Sequence, residues 1–167
     1  MQFSTASLSG KTIILTGATS GIGLKTAYAL AKGQANLILV ARNAQVASQL
    51  QADLIASSGV DVKIVIADFT DLNDVHKAAD QILTLTDRID GLINCAGMHS
   101  TKATWTKDGH ERVFCVNHLA SFALTCRLIP RLKQSAPSRI LNINSEGHRF
   151  NGLDLNDLAW KKRHYTG

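Results

Sequence analysis

Residues Thr16 to Gly23 read TGATSGIG and stand between the apolar run Thr12–Leu15 and a helix-like stretch, Leu24–Lys32. A strand, a glycine-rich turn and a helix in that order bring backbone N–H groups and the positive end of a helix dipole to one point. The chemistry suited to that point is binding of a pyrophosphate. Gly17 permits the tight turn off the strand, Gly21 lets the backbone approach phosphates, and Gly23 removes a side chain where helix meets sheet. Three residues separate Gly17 from Gly21 and one separates Gly21 from Gly23, a spacing that departs from the usual dinucleotide fingerprint. A second polar group stands out: Asn117 lies among Val113, Phe114, Val116, Leu119 and Phe122, where an amide must find partners.

Elements that could position these groups alternate along the chain. Nearly continuous apolar runs predict buried parallel strands at Thr12–Leu15, Asn36–Ala41, Val62–Ala67, Gly91–Asn94 and Arg139–Ile143. Helical patterns fall at 22–32, 43–57, 72–85 and 109–133, with Gly33 and Gly59 as left-handed C-terminal residues and Asp71 and Asp108 as N-caps. Pro130 should kink the last of these helices. Repeated βα units with right-handed crossovers give an α/β, doubly wound parallel sheet with strand order 3-2-1-4-5. Its pocket lies beyond the carboxyl ends of the strands. Those ends carry TGATSGIG, Ala41-Arg42-Asn43, Ala67-Asp68-Phe69, Asn94-Cys95-Ala96-Gly97 and Asn142-Ile143-Asn144-Ser145.

The 167 residues suit one domain, and 45% hydrophobic with 19% charged residues is ordinary for a globular chain. The polar start MQFSTASLSG suggests neither a signal peptide nor a membrane segment. Cys95, Cys115 and Cys126 lack C-x-x-C or metal-ligand spacing and read as reduced core thiols of a cytoplasmic protein. The net charge of +5 comes from residues 101–167, with 11 basic and 5 acidic side chains against 7 and 8 in residues 1–100. Without aromatic interleaving or a binding motif, that excess reads as a solvated face, not a nucleic-acid surface.

Taken together, these segments resemble the short-chain dehydrogenase/reductase family over nearly the whole chain. TGATSGIG is similar to its TGxxxGxG and LINCAG (92–97) to its Asn-Asn-Ala-Gly segment. DGHERVFCVNHLASFALT (108–125) and SAPSRILNINSEGH (135–148) resemble the retinol-dehydrogenase-like and WW-domain-oxidoreductase-like branch. The resemblance implies a Rossmann-like domain over residues 1–167 that binds NADP(H) and transfers hydride between nicotinamide and an alcohol or carbonyl substrate. Cofactor contacts would come from Gly17, Thr19, Ser20, Gly21, Ile22 and Gly23 in the turn, with Arg42, Asn43, Asp68, Phe69, Asn94, Ala96 and Gly97 at the other strand ends. Ala41 stands where NAD-preferring members carry an acid, and the Arg42 guanidinium suits a 2′-phosphate. Asp68 and Phe69 would flank the adenine. Asn117 would fix a water in the proton relay, and Ser145 would bond the substrate oxygen. Neither His118 nor His148 reads as a general base.

Three departures from the family pattern follow. Cys95 replaces the second Asn of its segment, and Asn144 replaces the first of the paired serines. The family's acid/base, a Tyr with Lys four residues later on the helix after the fifth strand, is not matched by Tyr165, which has no i+4 residue within the 167. The domain is therefore expected to be incomplete, without the family's last strands and helices, inactive on its own and prone to self-association or homo-oligomer formation. The alternative is a non-catalytic homologue that binds nucleotide or a partner.

Overall fold

The computed structural model describes residues 7–146, 154–162, 164 and 165. Five parallel strands run β1 (Thr12–Thr16), β2 (Asn36–Ala41), β3 (Val62–Ile66), β4 (Gly91–Asn94) and β5 (Arg139–Asn142), ordered β3-β2-β1-β4-β5 as expected. Helices α1 (Gly21–Lys32), α2 (Ala44–Ser58) and α3 (Leu72–Leu85) connect the first four strands. Between β4 and β5 one continuous rod, Arg112–Gln134, comprises α4 (Arg112–Phe114), a π turn (Cys115–Leu119) and α5 (Ala120–Gln134). Pro130 lies inside α5, and the helix carries on through it to Gln134.

Side-chain alternation along the strands divides the core into two layers. Ile14, Ile38, Val40 and Leu92 face α3 and α5, meeting Val75, Ala79, Ile82, Leu124 and Leu128. Their neighbours Ile13, Leu15, Leu37, Leu39 and Ile93 face α1 and α2, meeting Ala27, Ala31, Leu50 and Leu54. Burial on both faces is what the unbroken apolar runs of β1, β2 and β4 require.

Several boundaries and caps differ from the sequence expectation. β3 and β5 are not buried on both faces: Ile66 is exposed, and every residue of β5 is exposed. β5 pairs only with β4, so it forms the edge of the described sheet. Gly33 has φ −74°, and Gln34 takes the left-handed conformation there instead, at φ 69°. Gly59 is left-handed as expected, and Asp71 caps α3 through the Asn73 amide. Asp108 is not a cap. It precedes Gly109 (φ +80°) in a hairpin turn closed by the Trp105–Glu111 bridge, and the helix begins only after Glu111. Of the three free thiols, Cys115 is buried and Cys95 half-buried, but Cys126 is exposed and not a core residue.

Candidate functional site

The glycine turn is built by contacts that leave no room for side chains. A Cβ on Gly17 would lie 2.7 Å from Ala96 Cα, and one on Gly23 would lie 2.1 Å from the Gly17 carbonyl oxygen. Gly23 therefore lets α1 close on the turn itself. Gly21 differs: its φ is +51°, and nothing lies within 4 Å of where a Cβ would stand. Ser20 holds the N-cap position in extended geometry, yet its side chain makes no capping bond, and the first turn of α1 carries no acid. The helix start thus keeps uncapped N–H groups and its positive end open, as an anion site needs.

Thr16, which the sequence reading left without a role, fastens this turn to the next strand end. It is fully buried, and its hydroxyl accepts the Cys95 and Ala96 amides, each at 3.0 Å. The bonds to the Cys95 segment come from backbone. Burial pushes the Cys95 thiol pKa up, so it stays protonated.

A cavity of about 220 Å³ opens beside the turn. Gly17, Thr19, Ser20, Arg42, Asn43, Asp68, Phe69, Ala96 and Gly97 all line it. These are nine of the candidate residues, brought together from four strand ends. Two have local duties as well: Asn43 caps α2 through the Val46 amide, and the Asp68 carboxylate accepts the Thr70 amide. Phe69 is mostly core. Arg42 is exposed, and among the described residues no carboxylate pairs with it. Gly21, Ile22 and Gly23 lie outside this lining, Ile22 projecting into solvent.

A second cavity, about 280 Å³, lies between the ends of β4 and β5 and the long helix, lined by Asn94, Asn117, His118, Thr125, Asn142 and Asn144 among others. Asn94 thus sits on this side. Its amide donates to Thr125 Oγ1 (3.0 Å) and Asn142 Oδ1 (2.8 Å), while its own buried Oδ1 has no partner among the described residues. Asn117 finds its partners in the loop after β4, accepting the Met98 amide at 2.8 Å and donating to the Met98 carbonyl at 2.9 Å. It projects from the π turn, a distortion frequent at functional sites. Ala96 lines both cavities. Ser145 is exposed beyond β5 and lines neither, and His148 lies outside the described residues. His118 stacks between Phe114 and Phe122, at 5.2 and 6.3 Å.

Two tyrosines bear on proton transfer. Tyr28 and Lys32 do have i,i+4 spacing, but they stand on α1, with Tyr28 exposed and away from both cavities. Tyr165 donates to Glu111 Oε1 at 3.2 Å, and burial, followed by the Glu111 charge, raises its pKa. Among the described residues no group of His, Cys, Asp and Glu could hold a metal ion. The rod Arg112–Gln134 is long and apolar enough to cross a membrane by length and composition, though Leu124, Leu128 and Leu132 bury one of its faces in the core.

Residues 11–153 match the family model described as short chain dehydrogenase. The chain is 39% identical to human retinol dehydrogenase 13 over 164 residues, covering 98% of this chain and 50% of that protein. Among solved structures, a protein from Mycobacterium paratuberculosis aligns at TM-score 0.83 with 32% identity, over 96% of this chain and 55% of the other. A short-chain dehydrogenase from Sphingobium yanoikuyae in complex with NADPH aligns at TM-score 0.72 with 37% identity, over 81% and 54%. The chain therefore spans about half the length of the relatives it matches.

Proposed function

The chain belongs to the short chain dehydrogenase family, and on that premise we propose that it is the dinucleotide-binding part of an NADP(H)-dependent oxidoreductase acting on alcohols or carbonyls. One observation carries the reading: nine candidate residues converge on one cavity beside an uncapped helix start. The fit to a dinucleotide is good. Gly21 leaves the backbone bare where a pyrophosphate would approach, and Gly17 and Gly23 admit no other residue. Arg42 at the rim is free to meet a 2′-phosphate, while Asp68 and Phe69 form the adenine end.

When bound, the nicotinamide would supply or accept a hydride. The chain's own residues do the positioning. Thr16 holds the β4 end against the turn, and Asn117 holds Met98 and with it the cavity wall. Ser145 would hydrogen-bond the substrate oxygen. For residues 1–167 taken alone, a non-catalytic nucleotide-binding role is favoured by the place of Tyr165, which donates its hydroxyl to Glu111 and lines neither cavity. The free thiols support a reducing compartment such as the cytoplasm.

Titration with NADPH and NADH tests the cofactor. The unmutated chain should prefer NADPH, and Arg42→Ala should remove most of that preference, since a charge-assisted phosphate contact contributes ~1.5–3 kcal/mol. Equal affinity for both dinucleotides in the unmutated chain would sink the assignment.

A further inference from the structure

We infer that Tyr165 is a positioning residue: with Glu111 it latches the segment formed by residues 154–162 and Tyr165 onto the hairpin 104–112 and so sets the helix start that aims Asn117 at Met98. The inference rests on the reading of the cavity above as a dinucleotide site.

The latch is assembled from independent contacts. Glu111 is 2% exposed, and its two carboxylate oxygens accept the Val113 and Phe114 amides at 2.9 and 2.7 Å. Glutamate is not among the preferred N-cap residues, and this carboxylate takes a further donor beyond the two amides. Tyr165 supplies one, donating its hydroxyl to Oε1. Beside that bond the segment is tied to the hairpin at one further point and braced within itself at another. The Trp105 indole N–H donates to the Ala159 carbonyl at 2.7 Å, and the Trp160 and Tyr165 rings meet edge to face at 5.1 Å. Asp157 shapes the segment itself, its carboxylate accepting the Lys161 and Lys162 amides.

Glu111 caps the same rod from which Asn117 projects six residues later, through the π turn. Asn117 in turn holds both polar atoms of Met98, and Met98 and Gly97 line the candidate dinucleotide cavity. A shift of the helix start is thus passed to the cavity wall through one helix and one amide pair. A rigid rod transmits such a displacement, whereas a loop would absorb it.

The test compares the unmutated chain with Tyr165→Phe, which keeps the ring packing and deletes only the hydroxyl. Hydrogen exchange should quicken at the Val113, Phe114 and Met98 amides and stay unchanged at Ile14 and Leu39. NADPH affinity should fall on the order of threefold, the loss one hydrogen bond implies, while Tm stays within about 2 °C, as a small ΔΔG requires. Unchanged exchange at Met98, or faster exchange spread evenly over the sheet, would overturn the positioning role. Trp105→Phe, which removes the indole bond to Ala159, should reproduce the same local pattern; exchange at Met98 left untouched in both variants would also overturn it. Absence of NADPH binding in the unmutated chain would defeat the cofactor reading alone, because the exchange pattern judges the latch separately.

Discussion

The two sides of the β1–β4 seam are built to different standards. On one side β1 and β2 are buried on both faces, and the turn at their carboxyl ends is fixed by contacts too short for any Cβ. On the other, β5 is exposed along its length, with Ile140 and Leu141 and the following Ile143 each more than 40% accessible, and the cavity above it contains a carboxamide oxygen without a partner among the described residues. On the first side, no buried side-chain polar atom lacks a partner among the described residues. The second is lined by amides and by His118, which is stacked between two phenylalanine rings, and among the described residues no tyrosine lines it. Under the proposed function, binding belongs to the first side and chemistry to the second.

The largest effect expected is on turnover. Residues 1–167 should bind dinucleotide yet reduce no carbonyl and oxidise no alcohol. Proton transfer by a positioned group contributes typically ~10²–10⁴-fold, and Tyr165 lines neither cavity and is bound to a carboxylate. Spectrophotometric assay of NADPH consumption checks this. Steady oxidation that Tyr165→Phe abolishes would make Tyr165 the acid and erase the distinction between the two sides.

Next is the rigidity of the first side. Gly23→Ala would place a methyl 2.1 Å from a backbone oxygen of the turn, and such overpacking costs about 3 kcal/mol. Urea unfolding should register that loss together with abolished dinucleotide binding. A variant that binds normally would mean that the turn yields and is no firmer than the β5 edge.

Amide exchange measures the contrast directly. Arg139 and Ile143 donate to Asp90 and Asn94 at the open edge, whereas the amides of Ile14 and Leu39 lie inside the core layers. Exchange at the edge should be about tenfold faster or more, because local opening there exposes little buried apolar surface. Equal protection would mean that β5 is as firmly held as β1.

The firm side was also the legible one. Runs of Ile, Leu and Val fixed β1, β2 and β4, and the glycine turn between a strand and a helix announced its own chemistry, because both signals are local. The softer side hid behind competing local signals. Asp108 has the type and place of an N-cap, but Asp108-Gly109 is also a hairpin dipeptide, and the turn won. The helix start at Glu111 and the π turn at Cys115–Leu119 have no local signature, since the first depends on Tyr165, 54 positions away, and the second on packing. Exposure of β3 and β5 was written in Lys63 and Arg139, charged residues inside otherwise apolar runs. Thr16 looked like one more turn residue, and only the approach of β4 gives its hydroxyl a task.

The same long-range blindness concealed Asp90, which closes the seam at the end opposite the site. Its carboxylate accepts the Thr12 amide at 3.0 Å, Lys11 Nζ at 3.1 Å and the Arg88 guanidinium at 2.7 Å. Burial alone would raise its pKa, but Arg88, the Thr12 amide and Lys11 outweigh burial and hold the group below the usual carboxylate range. A carboxyl whose folded pKa is depressed stabilises the fold above its unfolded pKa, about 3.9, and loses that contribution as pH falls through the lower folded value. Lys11 and Arg88 are each nearly half exposed, so solvent screening limits the pairs to about 1 kcal/mol together. Asp90→Asn keeps an acceptor for Thr12 and deletes the charge. Its destabilisation in urea should be constant from about pH 5 to neutrality and shrink below about pH 4. A deficit that persists unchanged at pH ~2.5, below the ordinary carboxylate range, would show that the seam is held there by shape and not by charge.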